Sequence, residues 1–250
     1  MKLDHKNLKK YKDFFQENGF LHLKSVIKKD LVNKFIKSFF IIFNSYSGLN
    51  LDDDLDSSEL VKKLKEVRNK DKKNIDRIFR STRLSSSFNK LFFNEEVLKV
   101  SSFLLGVDKN TAIISEFQFR IDEPKDRLYT LDWHQDGAYY NQDKGGLNSI
   151  VINICVQDCF KQMGSPEILK NSHKNGLVPM RKFFKNKSNS LQYKTSDKFI
   201  KNKNSFIVEP KVGDIVIYDM NLIHKSGYNS SKKARFSLIG RAFNPLAETF

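Results

Sequence analysis

The chain has few of the features that define secreted, membrane-spanning or disulfide-stabilised proteins. Its 250 residues include only two cysteines, Cys155 and Cys159, which cannot build a disulfide framework. No stretch reaches the roughly 20 apolar residues that a transmembrane helix needs. The N-terminus becomes charged at once, unlike the apolar region of a secretory signal. We therefore expect a cytoplasmic protein with no membrane partner.

Linkers and internal repeats are also missing, which predicts one domain over residues 1–250. Apolar residues recur with helical period in about residues 1–110, for example in 6–17, 31–43 and 94–105. From about residue 111 to 250, short β-branched and aromatic runs alternate with polar clusters, as strands do. These runs are residues 113–121, 149–156, 205–208, 214–218 and 236–242. Helices followed by strands predict an α+β fold with a mainly β core.

Acidic residues are scarce relative to basic ones, and the formal net charge is +15 at pH 7. A positive field attracts nucleic acids or anionic small molecules. Residues 161–205, which we call the basic insertion, hold eleven Lys or Arg against two acids. A long connection of this kind can form a lid over a pocket. The other interpretation is that its lysines form a plain solvated surface.

Two imidazoles and one carboxylate match the ligand set of a non-haem iron(II) site with open coordination positions. His134 and Asp136 flank Gln135, and residues i and i+2 of an extended segment project from one face. His224 follows an apolar run and a short turn, which predicts a strand end. A lone His-x-Asp pair is more often a surface turn or a structural histidine. The later histidine and the arginine beyond it favour a metal site.

Arg235 follows His224 by eleven residues and opens the last apolar strand. Alternation places four residues of this strand on one face: Arg235, Ser237, Ile239 and Arg241. A recessed guanidinium matches the planar geometry of a carboxylate. Arg235 is therefore predicted to bind the distal carboxylate of a dicarboxylic keto acid. The alternative is that Arg235 covers the sheet end together with a neighbouring acid.

Four segments, spread over nearly the whole chain, form an ordered series of motifs. They are the helix, turn and strand of residues 11–24, the run Trp133–Asp136, the loop of residues 163–174, and residues 213–229 followed by Arg235. In this order they resemble the phytanoyl-CoA dioxygenase family of iron(II)- and 2-oxoglutarate-dependent oxygenases. The loop departs from the family's Pro-Gly-Ser-His, since it reads Asn171-Ser172-His173. His173 is interpreted as structural.

The resemblance implies a double-stranded β-helix, the jelly-roll or cupin-like core, flanked by N-terminal helices. It implies iron(II), with 2-oxoglutarate and dioxygen as co-substrates. It assigns iron ligation to His134, Asp136 and His224, and contacts with 2-oxoglutarate to Arg235, Ser226 and Gln118. Tyr140 and Asn153 are weaker candidates, because they equally suit the lining of a substrate pocket. The substrate-binding residues themselves are not identified.

The predicted function is hydroxylation of a C–H bond of a small molecule, with release of succinate and carbon dioxide. Family members that halogenate lack the carboxylate ligand, so Asp136 favours hydroxylation. The basic insertion favours an anionic substrate, such as a CoA or carrier-protein thioester or a nucleotide-linked sugar. One alternative is a basic nucleic-acid-binding protein, although no recognisable binding motif is present. Another is a metal-binding family member that has lost catalysis. The sequence does not indicate the oligomeric state.

Overall fold

The computed structural model describes residues 1–127, 130–140, 148–185, 190–201 and 204–246. Residues 186–189 and 202–203 of the basic insertion lie outside these ranges. Within them, the α-helices are α1 (Leu8–Asn18), α2 (Lys29–Ser47), α3 (Ser58–Lys70), α4 (Lys72–Leu84), α5 (Ser86–Phe92) and α6 (Glu95–Leu105). The strands are β1 (Phe20–Leu23), β2 (Ile113–Asp122), β3 (Ser149–Ile154), β4 (Glu167–Leu169), β5 (Met180–Lys185), β6 (Ser190–Thr195), β7 (Ser205–Ile207), β8 (Ile215–Asp219), β9 (His224–Lys225) and β10 (Arg235–Phe243).

Glycines in the left-handed conformation and capping side chains mark several of the helix ends. Gly19 and Gly106 end α1 and α6 in the left-handed conformation, with φ of 77° and 71°. The charged segment of residues 58–84 contains two helices, α3 and α4. Asp71 separates them with a φ of −152°, and its side chain accepts hydrogen bonds from two backbone amides at the start of α4. None of the helices in the ranges above is both long and apolar enough to cross a membrane.

The strands form two antiparallel sheets and a separate hairpin. The larger sheet has the order β1-β8-β3-β10-β2, and the smaller one has the order β7-β4-β9. The hairpin consists of β5 and β6, both from the basic insertion. A cluster of buried side chains from both sheets joins them, including Val151 and Val216 from the larger sheet and Ile168 from the smaller. This arrangement confirms the predicted jelly-roll core.

The helices cover the other face of the larger sheet. Phe39 of α2 lies 5.8 Å from Phe119 of β2 and 5.2 Å from Phe236 of β10, measured between ring centroids. These aromatic contacts belong to one hydrophobic cluster that includes residues of α1 to α6 and of five strands. Burial of such a cluster is the main favourable contribution to folding. The predicted helical flank and β core therefore share one apolar interior.

Candidate metal centre

Backbone hydrogen bonds hold His134 and His224 side by side. The two residues form an isolated antiparallel bridge. His134 donates its backbone N–H to the carbonyl of His224 over 2.9 Å, and His224 returns the bond over 3.0 Å. Paired residues of an antiparallel bridge project to the same side. Their imidazole centroids consequently lie 4.3 Å apart.

Hydrogen bonds to the backbone fix which nitrogen of each imidazole faces the site. His134 Nδ1 lies 2.7 Å from the carbonyl of Asp132, and His224 Nδ1 lies 2.9 Å from the carbonyl of Leu222. A carbonyl only accepts, so each Nδ1 is the donor and each Nε2 is left to face the site. Burial, followed by the nearby His134, lowers the pKa of His224 to about 4. At neutral pH His224 is therefore in the neutral form that binds metals.

Asp136 completes the triad as the first residue of a short 3-10 helix, Asp136–Tyr139. Its Oδ1 lies 3.4 Å from His134 Nε2 and 3.8 Å from His224 Nε2. One ligand atom from each of the three residues lies within 4.8 Å of the others. Burial acts to raise the pKa of Asp136, but Arg241 and the two histidines outweigh it and hold that pKa well below its usual value. Two imidazoles and an ionised carboxylate fit a divalent metal such as iron(II).

Arg241 holds the carboxylate of Asp136 from the side away from the histidines. Its Nη2 donates to Asp136 Oδ2 over 2.8 Å, and its Nη1 donates to the carbonyl of Glu116 over 3.0 Å. Glu116 has a φ of 51°, at a bulge where the register of β2 against β10 shifts. Bulges next to active sites commonly redirect a polar group. Here the bulge presents a carbonyl to Arg241.

Gln135 points away from the triad, as the i, i+2 pattern predicts. It is fully buried, and its Nε2 donates to the carbonyls of Gly176 and Asn221 over 2.8 and 2.5 Å. Its Oε1 accepts the backbone N–H of Val178 over 2.9 Å. Because these partners come from the loops after β4 and β8, Gln135 ties both loops to the segment that carries His134 and Asp136.

A small cavity of about 50 Å³ joins the triad to the other predicted site residues. Its lining includes all six residues with a predicted role, which are His134, Asp136, His224, Arg235, Ser226 and Gln118. It also includes Ser237, Ile239 and Arg241, so these residues share one face of β10 with Arg235, as predicted, and this face lines the cavity. Of the two weaker candidates, Asn153 lines the cavity. Tyr140 instead places its ring 5.7 Å from the guanidinium of Arg241.

Arg235 is buried in this cavity and already has one acidic partner. It donates to Asp122, which also receives a hydrogen bond from Arg120 over 3.0 Å. Burial acts to raise the pKa of Asp122, but the two arginines lower it overall. Asp122 is therefore the neighbouring acid that the alternative interpretation of Arg235 required. Two guanidinium groups therefore share the carboxylate of Asp122 at this end of the cavity.

A larger open cleft of about 740 Å³ adjoins the cavity, and the two share Leu131, Lys225 and Ser226 as lining residues. The hairpin of the basic insertion forms part of the cleft through Phe183 and Gln192. A small molecule bound in the cleft would lie next to the triad. The basic insertion thus contributes directly to the surroundings of the site.

The loop that departs from Pro-Gly-Ser-His still makes a tight turn. Asn171 adopts a φ of 65°, a conformation that asparagine tolerates better than most residues. Ser172 Oγ accepts the backbone N–H of Ile223 over 2.8 Å, and His173 Nε2 donates to the carbonyl of Gln16 over 2.9 Å. His173 is therefore structural, as predicted, and helps to place the segment before His224.

Two residues of the site received no role from the sequence. Arg241 was placed on the correct face by alternation, but nothing in the sequence paired it with Asp136. Tyr218, near the end of β8, lines the cavity and stacks on His224 with ring centroids 5.3 Å apart and planes 16° apart. Alternation along β8 could have placed Tyr218 on the inward face with Val216.

Comparison with known proteins assigns this arrangement to a family. The profile of the family described as Phytanoyl-CoA dioxygenase (PhyH) matches residues 15–237. The chain belongs to this family. The resemblance of the four motifs is thereby confirmed, and membership makes the chain a non-haem iron enzyme that depends on 2-oxoglutarate. No curated protein sequence matches the chain.

Solved structures share the fold of this family member at low sequence identity. EvdO2 from Micromonospora carbonacea var. aurantiaca aligns with a TM-score of 0.65 and 14% identity, covering 97% of this chain and 91% of that one. AviO1 from Streptomyces viridochromogenes Tue57 aligns with a TM-score of 0.62 and 16% identity, covering 98% of both chains. The epimerase SnoN, solved with Fe3+, alpha ketoglutarate and nogalamycin RO, aligns with a TM-score of 0.62 and 12% identity. This alignment covers 96% of this chain and 85% of the SnoN chain. At such identities the likeness shows the fold alone.

Proposed function

We propose that the protein hydroxylates a C–H bond of a small anionic molecule, using iron(II), 2-oxoglutarate and dioxygen. The observation that carries this proposal is the cluster of His134, Asp136 and His224 in the lining of a cavity that Arg235 also lines. In this proposal the three triad residues hold the metal. Arg235, with Ser226, binds the distal carboxylate of 2-oxoglutarate, and Gln118 lies at the edge of the same cavity. Iron and 2-oxoglutarate would supply the activation of dioxygen, leaving succinate and carbon dioxide.

The residues of the chain orient the metal ligands and keep water away from the carboxylate-binding residue. The backbone bonds at Nδ1 keep both Nε2 atoms turned toward the metal position, and Arg241 keeps the carboxylate of Asp136 in place. Arg235 is buried, so its guanidinium can bind a carboxylate with little competition from water. The hairpin of the basic insertion covers the segment that carries the triad, which supports the lid hypothesis. Thr195 donates its backbone N–H to the carbonyl of Trp133 over 2.7 Å.

The substrate is proposed to bind in the adjoining cleft. Arg127 and Lys161 line it, and Lys225 lies where the cleft meets the cavity. These cations favour an anionic group on the substrate, although Glu167 pairs with Lys225 over 2.9 Å. A CoA or carrier-protein thioester, a nucleotide-linked sugar or a similar metabolite has such a group. Lys161→Gln should raise the KM of an anionic substrate, whereas Lys170→Gln, outside the cleft lining, should not.

We further infer that the chain acts as one domain in the cytoplasm. The shared apolar interior of helices and sheets supports the first point. The two cysteines are unpaired, as expected in a reducing compartment, which supports the second. Nucleic-acid binding stays the less favoured hypothesis, and a salt-dependent titration with random DNA tests it.

Release of succinate is the direct test. The purified protein should convert 2-oxoglutarate to succinate when supplied with iron(II) and air, faster with the correct substrate. Asp136→Ala should abolish this turnover, whereas His5→Gln, which changes an exposed histidine outside the cavity, should not. A product that gains one oxygen atom supports hydroxylation, and a product of unchanged mass indicates epimerisation. Absence of iron-dependent turnover with every substrate tested would contradict the proposal.

A further inference from the structure

The hydroxyl group of Tyr218 is buried and has no hydrogen-bond partner among the described residues. Tyr218 is only 2% exposed. A buried polar group without a partner costs about 1–3 kcal/mol, so native proteins rarely keep one without a reason. A ligand that binds beside the hydroxyl would remove this cost. The orphaned hydroxyl therefore points to an acceptor atom that the folded chain itself does not provide.

The position of Tyr218 indicates which ligand this is. Tyr218 and Arg235 line the same cavity as the triad, and both also line a smaller adjoining cavity of about 30 Å³. Both side chains are buried. Arg235 uses Nη2 to bind Asp122, while its Nε lacks a partner among the described residues. Two unsatisfied donors, a phenol and a guanidinium N–H, thus line one region of the cavity, at a distance from solvent.

We propose that the Tyr218 hydroxyl donates a hydrogen bond to the distal carboxylate of 2-oxoglutarate, beside Arg235, and so selects a dicarboxylic keto acid. This inference rests on the proposed function, because it requires 2-oxoglutarate in the cavity. A carboxylate has two oxygens and accepts several hydrogen bonds, so it can satisfy both donors at once. A keto acid with a methyl group in place of that carboxylate would leave both donors buried and unsatisfied. The site would therefore discriminate strongly against it.

The aromatic ring and the hydroxyl of Tyr218 have separable roles. The ring stacks on His224 and helps to hold that imidazole. Phenylalanine keeps the ring and removes only the oxygen atom. Tyr218→Phe should therefore leave the fold and metal binding intact. Its thermal stability should equal or exceed that of the wild type, since the variant removes an unsatisfied hydroxyl.

The test measures binding rather than turnover. The protein is loaded with Mn(II), which does not start oxidation, and is titrated calorimetrically with 2-oxoglutarate and with 2-oxobutyrate, which has no distal carboxylate. Tyr218→Phe should weaken binding of 2-oxoglutarate about tenfold or more, as expected for a lost hydrogen bond to a charged group. Binding of 2-oxobutyrate should change by less than about twofold. Mn(II) affinity and melting temperature are measured for each variant.

Tyr11→Phe is the matched control. Tyr11 is also buried, but its hydroxyl donates to the carbonyl of Lys2 over 2.7 Å, far from the cavity. This variant should lose stability and keep its affinity for 2-oxoglutarate. If Tyr218→Phe binds 2-oxoglutarate as tightly as the wild type, or weakens both keto acids equally, the proposed role of Tyr218 is wrong. If the wild type itself does not bind 2-oxoglutarate, the proposed function fails and the role of Tyr218 fails with it.

Discussion

At the scale of single residues, Arg241 decides how Asp136 is presented to a metal. Loss of its hydrogen bond should let the buried carboxylate turn away from the two Nε2 atoms. Removal of such outer partners typically lowers metal affinity about 10–100-fold. We therefore expect Arg241→Met to weaken Mn(II) binding by that order, measured by titration. Arg68→Met removes a half-buried arginine outside the cavity lining, whose Nη2 lies 2.7 Å from Glu123 Oε1, and should reduce stability alone. Equal Mn(II) affinity in wild type and Arg241→Met would contradict this role.

His224 gives a pH dependence to the stability of the metal-free protein. Burial lowers the pKa of His224 to about 4 in the folded state, whereas an unfolded histidine has a pKa of about 6.5. Because the folded pKa is depressed, the stabilising effect is complete above pH ~6.5 and is lost as the pH falls towards 4. Between pH 7 and 5 the metal-free wild type should lose about 2 kcal/mol more unfolding free energy than His224→Asn. Denaturant titrations at both pH values measure this difference, and equal losses would contradict it.

At the scale of elements, most of the apolar strands were predictable, whereas β4, β9 and the two strands of the hairpin were not. β3, β8 and β10 lie within two residues of the predicted runs, because each has a continuous or alternating apolar pattern. β7 was predicted from the run 205–208 although it has three residues, whereas β4, with three residues, and β9, with two, were not predicted. The His134–His224 bridge was likewise invisible, because it depends on backbone pairing between segments ninety residues apart. The residue pattern and the family resemblance predicted that His134, Asp136 and His224 come together, but not the contacts of Arg241 or Tyr218.

Gly213 fixes the entry into β8, the strand that leads to His224. It adopts a φ of 83°, and an added Cβ would lie 2.7 Å from the carbonyl oxygen of Ile27. Gly48 has a similar φ of 70°, but a Cβ there would meet nothing within 4 Å. Gly48→Ala should therefore cost about 1–2 kcal/mol from backbone strain alone. We expect Gly213→Ala to cost at least about 1 kcal/mol more, because the clash with backbone must also be relieved. Urea denaturation measures both, and equal losses would show that the close approach to Ile27 is unimportant.

At the scale of the whole molecule, the helical part and the β core should unfold together. The chain has a single tryptophan, Trp133, which lies in the β part next to the triad, whereas the α-helices lie in the first 105 residues. Tryptophan fluorescence therefore reports on the β core, and far-ultraviolet circular dichroism reports mainly on the helices. Both parts contribute to one hydrophobic cluster, so separating them would expose the phenylalanines of α2 and β2 to water. We expect the two denaturation curves of the metal-free protein to superimpose. Two separate transitions would mean that residues 1–110 and 111–250 are independent folding units, and that the prediction of one domain is wrong.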